Sequence, residues 1–455
     1  LENVVNTLER KEDLVYTLEC KQYSKTGFSI DKTNKTVAGT ISGTCNGVSA
    51  ETTFPSIGTI LVQNSIEEDK AQVYTLVVTY KETNTDQSVD MNKTFSAKAN
   101  IVDPNTFGAF GSGTLASAIY KSAETATTNS DTTRTTMGST VTEFTSISGT
   151  NEHVLNNAPD DYGTSYYFRG NVKDNYVSFA DKIWRIVRIN GDGSIRLVLD
   201  DVAKDSSGNV IKTVFNSSKD DNTYVGYMYG TVGSATYDAT HENINDSTIK
   251  QKVDKWYEDN LKTNYANYLS DTLFCNDKTL ASSSIGTNNT ALGYGKNVTY
   301  YASTERLKYS TGTTDVTTTK PTFKCAESAT NDYSRFTVDV ATLANGNKTN
   351  GDLKYPIGLL TADEVSFAGA NKSYQTNKSY YLYNSSITSF WWLLSPYIYN
   401  GSNADEWFVS YSYGFLSNTN VFSAFAFHPS INLKAELLVG GGDGTSSNPY
   451  TIKLN

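Results

Sequence analysis

Five short segments in the first hundred residues switch between apolar and polar side chains or run β-branched: LVYTLECKQYS, TVAGTISGTC, TILVQN, AQVYTLVVTYKE and KTFSAKANIV. A period of two puts successive side chains on opposite faces of an extended chain, so each segment can bury one face and wet the other. Turn residues separate the segments at spacings of about ten, which is the pattern of a small all-β sandwich. We therefore expect an immunoglobulin-like β-sandwich over 1–103, closed by VDPNT.

The character changes at 104–160. GAFGSGTLASAIYKSAETATTNSDTTRTTMGSTVTEF is rich in Gly, Ser and Thr and reads as a linker, with TLASAIYKSAE able to form one short helix. A larger domain is expected over 161–455. YVSFADKIWRIVRI and SIRLVLDD read as strands, and NGDG between them is a hairpin turn. Their pattern sends Trp184, Ile186 and Ile189 inward. In NDSTIKQKVDKWYEDNL, Asp246 or Ser247 is the N-cap, and Ile249, Val253, Trp256 and Tyr257 share one face of a helix. YPIGLLTADEVSFAG reads as a strand, then a short helix capped by Thr361. GGGDGTSSNPYTIKLN gives a glycine turn and a last strand. The fold class expected is mainly β with some α, in more than one domain, the second of them α+β.

The 455 residues exceed what one core holds, which also argues for several domains. The net charge is -10 and no basic stripe interrupts it, so nucleic acid is excluded as a partner and an anionic membrane surface is disfavoured. No apolar run reaches the roughly 20 residues of a membrane-spanning helix, so no direct membrane span is expected, and a chain starting at Leu1 reads as a mature chain. The cysteines are Cys20, Cys45, Cys275 and Cys325. There is no CxxC, and His153, His241 and His428 are scattered, so no zinc site is expected. Two local disulfides, Cys20–Cys45 and Cys275–Cys325, fit an oxidising compartment; four buried free thiols are the alternative.

Candidates for chemistry are few. No GxSxG occurs, and His428 in FAFHPSINL reads as a buried, hydrogen-bonded histidine rather than a base. Asp363 and Glu364 read as first-turn acids that complement a helix dipole. Asp405 and Glu406 lie in an aromatic segment and could line a pocket; a glycan-active hydrolase would need two such carboxylates to converge. NGDG and GGDGT lack the further oxygen ligands of a calcium loop and read as turns. No catalytic residue, metal or cofactor is expected.

The segment 391–433 is the exception to a bland reading. Trp391 and Trp392, next to Leu393 and Leu394, belong to a core. Between them and FHPSINL lies YIYNGSNADEWFVSYSYGFLSNTN, written in the Tyr, Ser, Gly and Asn vocabulary of recognition loops. Tyr397, Tyr399, Asn403, Trp407, Tyr411 and Tyr413 are the candidate ligand contacts, with rings that could stack on a sugar. An aromatic-rich β-meander without a ligand is the alternative.

YYFRGNVKDNYVSFADKIWRIVRINGDGSIRLV, STIKQKVDKWYEDNL, LFCNDK, YPIGLLTADEVSFAG, YYLYN, WWLLSP, FHPSINLKAEL and GDGTSSNPYTI follow one another in this order. Together they resemble surface proteins of gut Firmicutes and Mollicutes-like bacteria that carry a C-terminal domain of uncharacterised function. The half from WWLLSP to HPSINL also resembles the C-type-lectin-like fold of formylglycine-generating enzymes and of retroelement-diversified receptor-binding proteins. The resemblance covers about 160 to 455 and implies a C-type-lectin-like second domain and a secreted, cell-surface location. The formylglycine activity does not carry over, because Cys275 and Cys325 precede the Trp-rich segment and serve better as a disulfide. The familiar members begin with a long apolar helix, and LENVVNTLERKEDLVYTLEC is not one.

The function expected is a non-enzymatic structural or adhesive protein outside the cell, a subunit of a pilus-like filament that self-associates through its N-terminal segment. A monomeric adhesin binding a host glycan or protein is the first alternative, and the hydrolase the second. A Lys–Asn crosslink in the N-terminal domain is left open by the sequence.

Overall fold

Alternation becomes pairing in the first unit, Leu1–Asp103 of the computed structural model. The structure describes the chain apart from residues 1, 7, 9, 32, 33, 35, 55–60, 63–68, 84, 94, 99–109, 112, 129–154, 283–288, 291, 308–319, 326–331, 373–375 and 455. Strand β1 (Leu14–Ser24) runs antiparallel to β3 (Lys70–Tyr80) from Leu14↔Tyr80 to Ser24↔Lys70, and β2 (Val48–Thr53) pairs with the other edge of β1. Leu14, Tyr16 and Leu18 project from one face onto Phe54, with Tyr74, Leu76 and Val78 of β3 packed beside them. Cys20 and Cys45 are joined, with Cα atoms 5.6 Å apart, so β1 is tied to the chain entering β2. Gly47 permits this close crossing: a Cβ there would lie 2.3 Å from the carbonyl oxygen of Leu18. Glu2–Asn6 with Phe95–Lys98, and Ser29–Asp31 with Thr36–Ala38, form two further antiparallel pairs.

The second unit is Pro104–Asn455. Its first described helix is α1 (Leu115–Thr128), inside the stretch expected to be a linker. Leu115, Ile119 and Ala123 recur every four residues and are buried in this unit's core. The helix belongs to the domain because that stripe has a core to enter; of the expected linker, 129–154 lies outside the described residues.

The main sheet is built on β4 (Leu155–Pro159), β5 (Thr164–Phe168), β6 (Tyr176–Phe179), β7 (Lys182–Ile189) and β8 (Ile195–Leu199). Strand β7 lies between β6 and β8 and also pairs with β5 at its far end; β4 pairs with β5. Beyond β8 the sheet continues through Ser430–Leu433 to Ile357–Gly358, and beyond β6 it takes the parallel strand Tyr450–Ile452. Trp184 to Ile189 are all buried, as is every residue of β8. The strict in–out alternation is lost because both faces are covered. Helix α2 (Tyr237–His241) is short, and α3 (Thr248–Asn260) packs Trp256 edge-on against Trp184 at 6.1 Å. The Ser247 hydroxyl caps α3 by accepting from the Lys250 amide at 3.2 Å.

A second sheet centres on β9 (Trp391–Tyr399), flanked by β10 (Ala404–Val409), β11 (Leu416–Asn420) and Thr299–Tyr300. Trp391 and Trp392 are buried, and the Trp392 indole donates to the Thr213 carbonyl at 3.0 Å. His428 is buried beside Trp391, with Nδ1 2.9 Å from the Leu199 carbonyl. Helices α4 (Ala302–Leu307) and α5 (Ala362–Ala368) belong to the same unit. Cys275 and Cys325 are joined across 50 residues. The described chain is thus mainly β with some α. Among the described residues, no helix is long and apolar enough to cross a membrane.

Candidate functional site

A cluster of buried charged side chains lies where α5 meets the β7–β8 hairpin. TADE at 361–364 forms a capping box: the Thr361 hydroxyl accepts from the Glu364 amide at 3.0 Å, and Glu364 Oε2 accepts from the Thr361 amide at 2.9 Å. That fixes Glu364 Oε1 between two strand arginines, 3.3 Å from Arg188 Nε and 3.5 Å from Arg196 Nε. The second distance is an ion pair without hydrogen-bond alignment, since Arg196 Nε and Nη1 have no hydrogen-bond partner among the described residues. Burial pulls the Arg196 pKa down to about 10, against the attraction of Glu364. Its guanidinium lies over the Phe274 ring at 4.1 Å, and that of Arg188 over Phe323 at 4.5 Å.

Asp160 closes the cluster on one side. It accepts from the Tyr162, Gly163 and Gly191 amides, the Ser165 hydroxyl and Arg188 Nη1 at 2.7 to 3.1 Å. Asp363 and Asp277 close it on the other side through Arg306, whose Nε and Nη2 reach Asp363 at 2.9 and 3.0 Å and whose Nη1 reaches Asp277 at 2.8 Å. Burial opposes the Arg306 charge, but the two carboxylates outweigh it and raise its pKa. These residues enclose about 20 Å³ of space, room for one water molecule. The carboxylates are engaged by arginines, hydroxyls and amides, and Asp363 and Glu364 are drawn to different arginines, as side chains diverging from a short helix would be. The arrangement rigidifies the junction; it does not aim two carboxylates at one point.

Burial pushes the Asp161 carboxyl up to about 6, against the hydrogen bond from the Cys325 amide and with help from Asp160. A folded pKa above the unfolded value of about 3.9 means the folded chain holds this proton more tightly. The stability it contributes is full below about pH 4 and lost as pH rises through about 6. Asp161→Asn, which keeps an oxygen for the Cys325 amide, is expected to raise stability at pH 7.5 by up to about 3 kcal/mol and to leave it unchanged at pH 4. Thermal melts at both pH values check this.

The aromatic candidates are dispersed. Tyr397 and Trp407 meet edge-on at 4.9 Å, both buried, with Lys372 Nζ 3.8 and 5.0 Å from their ring centres. The Trp407 indole donates to the Ser303 hydroxyl. Tyr399 is also buried, its hydroxyl donating to the Asp220 carbonyl, and burial pushes its pKa up to about 12. Asn403 sits in the β9–β10 turn, its amide held by Asn400 Oδ1. Tyr411 packs on Phe390 at 5.0 Å, and Tyr413, 52 % exposed, stacks on Phe415. Tyr397, Tyr399 and Trp407 are buried because β9 and β10 are covered on both faces. Asp405 accepts from Asn418 Nδ2 at 3.0 Å, and burial pushes its pKa up to about 6. Glu406 is fully buried, and burial raises its pKa far above the carboxylate range, against a backbone hydrogen bond from Trp407.

A separate open groove of about 1200 Å³ runs between the β7–β8 hairpin, the chain after β8 and α3, lined by Lys182, Ile183, Asp201, Lys252 and Trp256 among others. Among the described residues, no group of three His, Cys, Asp or Glu side chains could hold a metal ion. Compared with protein-family models, curated proteins and solved structures, the chain matches none.

Sequence reasoning missed Arg188, Arg196, Arg306 and Asp160. A usable signal was present: arginines inside the apolar strands WRIVRI and SIRLVL are buried only when paired.

Proposed function

We propose that the chain is a non-enzymatic protein of structural or adhesive role that works outside the cytoplasm, on the cell surface. The observation that carries this is a cystine in each of the two units, Cys20–Cys45 and Cys275–Cys325. Such bonds persist where thiols are not kept reduced. The charged cluster supports a structural role, since its carboxylates are spent on arginines and amides. In its finer form the proposal takes the first unit as an immunoglobulin-like sandwich and the second as a C-type-lectin-like domain. The resemblance to surface proteins of gut Firmicutes and Mollicutes-like bacteria belongs to the same reading. So does assembly into a pilus-like filament through the N-terminal segment. Strand β3 supports self-association: it ends the described three-stranded sheet and exposes Val77 at 50 % and Tyr80 at 37 %.

The test is made on intact cells expressing the chain. A membrane-impermeant amine label is expected to reach it, and alkylation without reductant to find no free thiol. Labelling only after lysis, or four free thiols, overturns the reading. Electron microscopy with a bound antibody then separates the two forms, decorated fibres favouring the filament and single particles the monomeric adhesin. For the adhesin, the groove beside Trp256 is the better ligand site, because it is concave and open whereas Tyr397, Tyr399 and Trp407 are enclosed.

A further inference from the structure

Lys278 lies outside the charged cavity and is fully buried. Its Nζ is surrounded by three oxygens: the carbonyls of Met228 at 2.8 Å and His241 at 3.0 Å, and Asn243 Oδ1 at 2.7 Å. The Asn243 carboxamide is pinned from its other end as well. Its Nδ2 donates to Asp352 Oδ2 at 2.9 Å and to the Tyr333 carbonyl at 3.2 Å. An amine, a carboxamide and a carboxyl group are therefore in line, with the amine at the carbonyl end and the acid at the nitrogen that would leave. Burial lowers the Lys278 pKa to about 7, against the attraction of Asp352 and Glu406, so at ordinary pH the amine can give up the proton it donates to Asn243 Oδ1 and turn a lone pair to that carboxamide.

We propose that Lys278 and Asn243 condense into an intramolecular amide, with Asp352 as the acid–base group. The Lys278 Nζ lone pair attacks Asn243 Cγ, and the electron pair of the carbonyl moves onto Oδ1. The proton shed by Nζ passes to Oδ1, which it faces at 2.7 Å; Asp352, on Nδ2 at 2.9 Å, delivers a proton to that nitrogen as it leaves, and the Oδ1 proton returns to Asp352 through solvent. The carbonyl re-forms, the Cγ–Nδ2 bond breaks, and ammonia leaves. One amine and one carboxamide give one secondary amide and one ammonia, with no oxidant or reductant. Asp352 touches the leaving nitrogen and is a catalytic residue in this step. The bond would tie the chain just after α2 to the segment just after Cys275, bridging 35 residues. It is independent of where the protein works.

The test is the intact mass of the full chain, purified and fully reduced. It is expected to be lighter than its sequence by one ammonia molecule, and a protease digest is expected to yield a branched peptide joining Lys278 to Asn243. Replacing Lys278 itself can unfold the unit, so the informative variant is Asp352→Ala at an exposed residue, which is expected to keep a cooperative thermal transition and carry the full sequence mass. A wild-type chain at full sequence mass overturns the proposal. So does an ammonia loss traced to a linear succinimide at Asn243 or to another site. Loss of ammonia from Asp352→Ala to the same extent as wild type overturns the role of Asp352.

Discussion

Replacing Glu364 with alanine is expected to destabilise the second unit by about 3–5 kcal/mol, the cost of leaving a buried charge unpaired. The side chain does two things at once. Oε2 closes the capping box on the Thr361 amide, and the loss of a cap accounts for about 1 kcal/mol. Oε1 is the carboxylate oxygen that faces both Arg188 and Arg196. Arg188 would keep Asp160 at 3.1 Å. Arg196 is 2 % exposed and, among the described residues, its guanidinium would keep the Leu273 carbonyl and the Phe274 ring. The larger part of the loss therefore belongs to Arg196. Glu364→Gln, which retains a capping oxygen and the shape, is expected to lose less than alanine. Adding Arg196→Met to Glu364→Ala is expected to recover part of the loss, because the stranded charge goes with it. Urea denaturation followed by tryptophan fluorescence reads all three. A Glu364→Ala cost no larger than a cap, or no recovery in the double variant, would refute the assignment.

The contrast between what the sequence discloses and what it hides follows the range of the interactions. Thr361 and Glu364 lie three residues apart, so their box is readable in TADE. Ser247 is readable before α3 for the same reason, and the cystine pairs follow from four cysteines grouped two and two. The charged cluster is different: Arg188 meets Asp160 across 28 residues and Glu364 across 176. No local pattern encodes such partners. A period-two reading of WRIVRI also sends alternate side chains to water, whereas here both faces are covered and the arginines need carboxylates inside. The same cause hides the fate of Tyr397 and Trp407. Their composition matches a recognition loop, but burial is decided by Ser303 and Lys372, which arrive from elsewhere in the chain. In TLASAIYKSAE the four-residue stripe of Leu115 and Ile119 was visible; its Ser- and Thr-rich flanks gave no hint that a core awaited it.

Serine at both Cys275 and Cys325 is expected to cost about 4 kcal/mol, the chain entropy of opening a loop of some 50 residues. The Cys20–Cys45 loop spans 25 residues, and its serine pair should cost less, about 3.5 kcal/mol. The longer loop also carries two residues of the charged cluster. Asp277 and Arg306 lie inside it, and their partner Asp363 lies outside. The Cys325 amide, at the closing end, holds Asp161. Closing the loop shortens the chain path from Arg306 to Asp277, which lies just after Cys275, so part of that pair's ordering entropy is already spent in the unfolded chain. Two measurements separate this from a simple loop effect. Arg306→Met should destabilise the disulfide-bonded protein strongly, since it strands Asp363 and Asp277 together. In the serine variant the same substitution should cost less, because the open loop holds Arg306 less firmly and the native unit can relax around its absence. Equal costs in the two backgrounds would mean that the cystine and the arginine act independently, and the disulfide would then be a restraint on the unfolded chain alone.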